Sequence, residues 1–287
     1  MADDTKTLQS TAGEDLFLRV WHPEQVSEAS GTVILSHGLG EHCGRYEHVA
    51  RFFTARGFGV YGADHVGFGR SGGKRGHVPG GVETCAADLA AVAEFAASEE
   101  DGPERRILFG HSMGGLFVLR LLLDRPQFAR EAVVTGPALH SGKGSNPLKI
   151  FMARVLSRVV TALTLDHGYR PEQVCSDPDV VQAYTADPLV HRRLSVELAV
   201  SILNEGENVR TAADRFNPDL SLLLFNGAED TIADPEVTRT FGQRVSCHKK
   251  DVLIPEGMRH EVFNEVDQDL AFQAVARFFN LAPYAPE

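Results

Sequence analysis

The sequence predicts an α/β protein in which helices flank a mostly parallel sheet and a helical cap is inserted into the chain. From residue 16 onward, short apolar or β-branched runs alternate with helical stretches, which is typical of a parallel sheet covered on both faces. About 80 residues between the fifth and sixth predicted strands contain no convincing strand, too many for an ordinary connection. With 43% hydrophobic and 23% charged residues, the composition is that of a globular protein.

The individual elements follow from this alternation. Strands are predicted over 16–21, 32–36, 59–63, 106–109, 132–135, 220–225 and 251–254. Helices of the sheet layers are predicted near 46–56, 82–98, 113–124, 235–244 and 266–280. The resulting division is an N-terminal tail at 1–14, a core in two parts at 15–138 and 217–287, and the helical cap at 139–216.

The first helix of the cap has a clear start signal. Asn146 is suited to the N-cap and Pro147 to the first helical position. Apolar residues then follow at helical spacing as far as Leu163, and they cover more of the helix than a simple two-layer contact requires. This surface packs inside the cap, or it forms an acyl-chain groove or a transient contact with a membrane surface.

The charge and the termini exclude several classes of protein. A net charge of −11 argues against nucleic acid as a partner, because it repels phosphate backbones. The first ten residues lack the apolar segment of a secretory signal, and no apolar run is long enough to span a bilayer. We expect a cytoplasmic protein, at most peripheral to a membrane. The four cysteines lack CxxC spacing and are interpreted as structural thiols, and the oligomeric state is left open.

Ser112 is the predicted nucleophile. It is the central residue of a G-x-S-x-G pattern at 110–114, preceded by the apolar strand residues ILF and followed by the helical run LFVLRLLLD. A nucleophile elbow requires this order of strand, tight turn and helix. A second match at 69–73 has no helix after it, so Ser71 is interpreted as a loop serine. For the same reason the overlapping G-x-G-x-x-G at 67–72 is rejected as a dinucleotide site, and no cofactor is predicted.

A nucleophilic serine requires a base and an acid that orients it, which in this architecture follow in the order Ser, Asp or Glu, His. Asp230 comes directly after the strand run LSLLLF, where open α/β sheets gather functional groups. His260 lies in the loop before the last helix. Glu229 and Asp234 are the rival acids.

The oxyanion intermediate requires main-chain donors. Met113 follows the nucleophile and is predicted to supply one N–H, and Leu39, in the loop after an early strand, the other. His37, Glu41 and His42 suggest zinc, but their spacing matches no zinc hydrolase signature, so no metal is predicted. Two roles are expected for Glu41 and Arg45: they support the residues of the site, or they form an ion pair on the surface.

The motifs HGLGEHCGRY, DHVGFGRSG, GHSMGG, DPLV at 187–190, GAED and RHEVFNE occur in the order found in one family. In them the sequence resembles the monoacylglycerol lipase and lysophospholipase group of α/β-hydrolases, from about residue 15 to 280. The resemblance implies the α/β-hydrolase fold, the triad Ser112, Asp230 and His260, and a cap that roofs an acyl-chain tunnel. It departs at Cys43, where serine is frequent in the group.

These observations together predict a serine hydrolase of carboxylic esters, acting on monoacylglycerol-type lipid esters through an acyl-enzyme. A lysophospholipase, a short-chain carboxylesterase and a peptidase-like relative use the same residues and stay open as alternatives. A non-catalytic binding module of the same fold is the alternative from a different class, and it would be favoured only by the loss of a triad residue. The sequence retains all three.

Overall fold

The computed structural model describes residues 4–23, 31–99, 105–139 and 159–284. The strands in these ranges are β1 Asp4–Gln9, β2 Asp15–Trp21, β3 Gly31–Ser36, β4 Phe58–Ala63, β5 Arg106–His111, β6 Glu131–Thr135, β7 Thr164–Asp166, β8 Arg193–Ser195, β9 Ser221–Phe225 and β10 Lys249–Leu253. The α-helices are α1 Glu47–Thr54, α2 Val82–Glu99, α3 Met113–Asp124, α4 Pro178–Ala186, α5 Val196–Thr211, α6 Pro235–Arg244 and α7 Asp269–Phe278.

Eight strands form one sheet in the order β1-β2-β4-β3-β5-β6-β9-β10. β2 pairs antiparallel with β1 and with β4, whereas all other neighbours in the sheet are parallel. The prediction of a mostly parallel sheet flanked by helices is confirmed. All predicted strands are present, and their ends differ from the prediction by no more than two residues.

The central strands are buried on both faces. In β3, Ile34 packs in the apolar cluster that includes α2 and α3, while Val33 and Leu35 pack on the opposite face with α1 and α7. This follows from the strand geometry, in which successive side chains point to opposite sides of the sheet. Burial on both sides also explains why these strands are continuous apolar runs in the sequence.

Within the predicted N-terminal tail at 1–14, residues 4–9 form the edge strand β1, which the sequence analysis did not predict. Most of its side chains are exposed, so DTKTLQ shows no apolar alternation that could predict a strand. The strand is held in place by pairing with β2. The chain directly after it is held by the Asp88 carboxylate of α2, which accepts hydrogen bonds from Ser10 Oγ at 2.7 Å and from the Thr11 N–H at 2.8 Å. The strand therefore depends on tertiary partners.

The segment between β6 and β9 corresponds to the predicted cap. Helices α4 and α5 are present there, but so are β7 and β8, which pair antiparallel, so the expectation that this segment has no strand was wrong. Each has three residues, too short for periodicity to show. The predicted helix that starts at Asn146 falls largely on 140–158, outside the described residues, and the cap boundaries at 139 and 216 stay a prediction.

The predicted helices of the sheet layers are all found, as α1, α2, α3, α6 and α7. Asp234 caps α6 by accepting the Glu236 N–H at 2.9 Å, and Pro235 occupies the first turn, as the sequence pattern favours. Within the described ranges, no helix combines the length and the apolarity needed to cross a bilayer.

Candidate active site

Ser112 forms the sharp turn between β5 and α3. Its backbone has φ 52° and ψ −116°, which non-glycine residues rarely adopt. Its N–H donates to Thr135 O of β6 at 2.8 Å, and its carbonyl accepts from Leu116 N–H and Ala138 N–H, both at 3.1 Å. The predicted nucleophile thus lies on the strained strand-to-helix turn that its motif requires.

The glycines of the motif make this turn sterically allowed. A Cβ on Gly110 would lie 2.6 Å from the carbonyl oxygen of Gly114, and a Cβ on Gly114 would lie 2.2 Å from Ser36 O of β3. Both distances are too short for any side chain, and both obstacles are backbone atoms. Any larger residue at either position would therefore displace the turn from β3 or from the start of α3.

The second match to the pattern, at 69–73, is different. No helix follows Ser71, which lies in a loop. Its hydroxyl donates to Asp64 O at 2.5 Å and accepts the Phe17 N–H at 2.8 Å. The hydroxyl is occupied in joining this loop to β2, and the interpretation of Ser71 as a loop serine is confirmed.

Asp230 follows β9 and His260 follows β10, and their side chains meet at the carboxyl edge of the sheet. His260 Nδ1 donates to Asp230 Oδ2 at 2.7 Å, and both side chains are buried. The other oxygen, Oδ1, accepts the main-chain N–H groups of Ile232 at 2.7 Å and Ala233 at 2.9 Å. The carboxylate is therefore held from two sides. Of the rival acids, Glu229 is exposed and Asp234 caps α6.

This contact shifts both protonation equilibria. Burial alone would raise the pKa of Asp230, but the charge and hydrogen bond of His260, with the two main-chain donors, outweigh it and lower the pKa. Burial alone would lower the pKa of His260, but the Asp230 charge and hydrogen bond outweigh it and raise the pKa above 6.5. Because Nδ1 carries the donated proton, Nε2 of the neutral ring has a free lone pair.

Two polar residues that the sequence does not single out lie behind Asp230. Asn226, at the end of β9, is fully buried and donates Nδ2 to Asp230 Oδ2 at 2.9 Å and to Ala233 O at 3.1 Å. Its Oδ1 accepts from Thr238 Oγ1 of α6 at 2.7 Å. Together they fix the orientation of the carboxylate. The sequence signal is a single polar residue after an apolar strand, which does not distinguish this role from an ordinary turn.

Ser112 and His260 line the same small cavity, of about 30 Å³. Its other lining residues are Gly38, Leu39, Glu41, His111, Tyr169, Val174, Tyr184, Ile232 and Glu261. Among the described residues the Ser112 hydroxyl has no hydrogen-bond partner. In serine hydrolases without substrate the bond to the base is often long, and it tightens in the Michaelis complex.

The predicted oxyanion donors lie at two main-chain turns. Leu39 follows β3, and Met113 is the first residue of α3. Neither N–H has an acceptor in the part of the chain that the structure describes, so both are available for hydrogen bonding. The Leu39 turn is anchored by Glu41, whose Oε1 accepts the Gly38 N–H at 2.5 Å and the Tyr46 hydroxyl at 2.6 Å.

Arg45 joins the Leu39 turn to the loop that carries His260. Its Nη1 and Nη2 donate to the two carboxylate oxygens of Glu261, at 2.6 and 2.8 Å, and Nη1 also bonds Glu41. Burial would raise the pKa of Glu261, but the Arg45 charge outweighs it and lowers the pKa to about 2. Of the two expected roles for Glu41 and Arg45, surface pairing is wrong, because all three side chains are largely buried.

His111 lies beside His260 but does not compete with it for a proton. Its ring centroid is 4.6 Å from that of His260, and its Nδ1 is 2.7 Å from Thr135 Oγ1. Burial and the neighbouring His260 lower the pKa of His111 to about 3. The ring is therefore neutral at physiological pH.

The residues of the rejected zinc pattern make other contacts. His37 bonds Gly38 O through Nδ1 at 2.8 Å, and its Nε2 accepts the His65 N–H at 2.9 Å. His42 Nε2 lies 2.8 Å from the carboxylate of Asp187 in the cap. Within the described ranges, no group of three or more His, Cys, Asp or Glu side chains is arranged to hold a metal ion.

Comparison with known proteins gives consistent matches over nearly the whole chain. Residues 27–267 match the family described as serine aminopeptidase, S33. A monoacylglycerol lipase of Mycolicibacterium smegmatis is 33% identical over 279 residues, covering 96% of this chain and 97% of that protein. The monoglyceride lipase of Mus musculus is 30% identical, covering 92% and 86%. The crystal structure of a Paleococcus ferrophilus monoacylglycerol lipase superimposes with a TM-score of 0.83 at 32% identity, covering 92% and 97%.

Proposed function

The chain belongs to the α/β-hydrolases, in the serine aminopeptidase S33 family and its monoacylglycerol lipase-like group, and we propose that it hydrolyses monoacylglycerols to fatty acid and glycerol with Ser112 as the nucleophile. The observation that carries the proposal is the buried His260–Asp230 pair, 2.7 Å apart, in the cavity that Ser112 also lines. The relatives named monoacylglycerol lipase support the substrate class.

In the first half of the proposed reaction, Nε2 of His260 takes the Ser112 proton as Oγ attacks the ester carbonyl carbon. The N–H groups of Leu39 and Met113 stabilise the oxyanion, which for one such donor contributes ~10²- to 10³-fold in rate. The C–O bond to glycerol then breaks, and His260 returns the proton to the departing oxygen. Asp230 stabilises the imidazolium that forms between these steps.

In the second half, water attacks the acyl-enzyme by the same route. His260 takes one water proton as the oxygen bonds to the acyl carbon, and the same two N–H groups hold the second oxyanion. The bond to Ser112 Oγ breaks, Oγ receives the proton from His260, and the fatty acid leaves. The neutral state of His111 supports this cycle, because no second imidazolium forms beside the base.

The cavity lining supports a substrate with an apolar and a hydroxylated part. Leu39, Val174 and Ile232 are apolar, whereas Tyr169 and Tyr184 each carry a hydroxyl. We assign the acyl chain to the first set and glycerol hydroxyls to the second. In the described part of the chain, the Tyr184 hydroxyl has no hydrogen-bond partner, so it can bond the substrate.

The same lining argues against an aminopeptidase, although the family description names one. A carboxylate that no other cation occupies is the strongest partner for the α-ammonium group of an aminopeptidase substrate. The two carboxylates among the described lining residues, Glu41 and Glu261, are both bonded to Arg45. Lysophospholipase and short-chain carboxylesterase activity use the same chemistry with another leaving group or acyl chain, and they are the alternatives that a substrate comparison separates.

We also propose a transient lipid contact through the cap. Val159 is 79% exposed and Leu165 58%; Val159 lies near the end of the predicted cap helix and Leu165 follows that helix, in β7. Apolar side chains on a surface close to a lipid-binding site favour contact with a bilayer. Vesicle flotation of Val159→Ser with Leu165→Ser against the unchanged protein tests this, and equal flotation of the two would contradict it.

The central experiment compares the purified protein with Ser112→Ala on monoacylglycerol, lysophospholipid, p-nitrophenyl esters of several chain lengths, and an aminoacyl amide. We expect monoacylglycerol to be cleaved with the highest kcat/KM and Ser112→Ala to be inactive while it retains its circular dichroism spectrum. Full activity of Ser112→Ala would overturn the assignment of the nucleophile. Failure of a fluorophosphonate to label Ser112 would favour the non-catalytic binding module.

A further inference from the structure

The loop that carries His260 is bonded to a short segment of the cap. We call residues 172–176 the cap foot and residues 259–265 the histidine loop. The Glu261 N–H, directly after the base, donates to Val174 O at 2.8 Å. Further bonds join Arg259 Nη1 to Glu172 O at 2.6 Å and Cys175 O at 3.0 Å, and Cys175 Sγ to Asn264 O at 3.0 Å.

Glu265 occupies the centre of this contact. Its side chain is buried, and one carboxylate oxygen accepts the Arg259 N–H at 2.7 Å. Both oxygens lie 3.1 Å from the Ser176 main-chain nitrogen, and Oε2 also accepts from the Ser176 hydroxyl. Burying a carboxyl group is costly unless donors compensate for the lost water, so its position is determined by these donors.

These bonds reach the base from both sides along the chain. Glu265 fixes the main chain of Arg259, the residue before His260, while Val174 of the cap foot fixes the amide of Glu261, the residue after it. Val174 also lines the cavity that contains Ser112. The cap foot is therefore part of the framework that holds the imidazole.

We propose that Glu265 is a positioning residue for His260, which it places by tying the Arg259 main chain to Ser176 of the cap foot. The proposal rests on the proposed function, since it presumes that His260 is the base. Catalytic groups have to be held to within about 0.5 Å, and a displacement of about 1 Å can cost about 10²-fold in rate. Glu265 therefore acts on the rate without touching the substrate.

Glu265→Gln tests this with little change of shape. The amide has one acceptor oxygen instead of two, and its NH₂ group would face a donor, either Arg259 N–H or Ser176. We expect kcat to fall about 10- to 100-fold with KM changed less than about threefold. Glu256→Gln is the matched control, because this glutamate precedes the same loop and is exposed.

Rates are divided by the number of sites that a fluorophosphonate labels, which removes any loss through misfolding. A displaced His260 also contacts Asp230 less well, so the acid limb of kcat/KM should move to lower pH in Glu265→Gln. Ser176→Ala, which removes the hydroxyl donor but keeps the main-chain one, should shift the limb the same way and lower kcat about 3- to 10-fold. If Glu265→Gln does not fold, the Ser176→Ala variant alone tests the proposal.

The proposal would be overturned if Glu265→Gln had the wild-type kcat per labelled site and an unmoved acid limb. If Glu265→Gln does not fold, the same two results in Ser176→Ala would overturn it. Glu265 would then be a purely structural residue. That outcome is distinguishable from failure of the proposed function. The function fails if Ser112→Ala stays active, whatever the Glu265 variants do.

Discussion

Replacing Asp230 by Asn is the most direct test of the acid–base pair, because it keeps the shape and removes one acceptor. The carboxylate receives four donors, which are His260 Nδ1, Asn226 Nδ2 and the N–H groups of Ile232 and Ala233. The amide of the asparagine has only one oxygen that can accept hydrogen bonds from these four donors. If that oxygen stays with the two main-chain donors, the NH₂ group faces His260 Nδ1. The imidazole proton then moves to Nε2, the atom that receives the Ser112 proton in the proposed reaction.

The opposite amide orientation is also unfavourable. It places the NH₂ group against the Ile232 and Ala233 N–H groups, at a cost of about 1–3 kcal/mol for each unsatisfied donor. The wrong tautomer is therefore the expected state. In a serine protease the same substitution lowers kcat by about 10⁴-fold. At 1.36 kcal/mol per factor of ten, this corresponds to about 5.4 kcal/mol of lost transition-state stabilisation.

The measurement is kcat for a soluble p-nitrophenyl ester, with the labelling rate of Ser112 by a fluorophosphonate as a second readout. Glu229→Gln is the control, since the rival carboxylate next to Asp230 is exposed, and it should retain full activity. If Asp230→Asn kept more than about a tenth of the wild-type kcat, tautomer control by Asp230 would be refuted.

Three further results are expected. The proposed reaction requires the base form of His260, whose pKa is raised, so kcat/KM should rise with pH through a midpoint above 6.5, and a midpoint at or below 6.5 would contradict the assigned pairing. Tyr184→Phe should raise KM for a monoacylglycerol about 2- to 10-fold, the range for one neutral hydrogen bond, but leave KM for a p-nitrophenyl ester unchanged. Ser112→Gly should unfold at higher denaturant concentration than Ser112→Ala, because glycine tolerates φ 52°; the reverse order would show that the turn is unstrained.

The sheet could be predicted because its central strands are buried on both faces and give long apolar runs. β1, β7 and β8 could not, since their order comes from pairing with neighbours and their own residues carry no apolar pattern. The same distinction holds in the site. Ser112, Asp230 and His260 each follow a predicted strand, so topology alone indicates that they lie at one edge of the sheet.

The supporting residues could not be found in this way. Asn226 and Thr238 lie on different elements, and only the folded chain brings the Thr238 hydroxyl to the Asn226 amide. Glu265 contacts Ser176, 89 positions earlier, which no local pattern indicates. Motifs identify groups that do chemistry because a turn or a strand end is a local feature. Residues that hold those groups are determined by packing between distant segments.

The strained backbone of Ser112 shows how a local motif depends on contacts with a distant part of the chain. A residue at φ 52° and ψ −116° destabilises the fold by about 1–3 kcal/mol, and the residues of the motif do not offset this strain. The Ser112 N–H instead bonds Thr135 O of β6, and the chain after β6 turns at Gly136, also at positive φ. A Cβ on Gly136 would lie 3.0 Å from the His260 ring. The same turn therefore holds the strained serine and leaves space for the imidazole, so both positions depend on the end of β6.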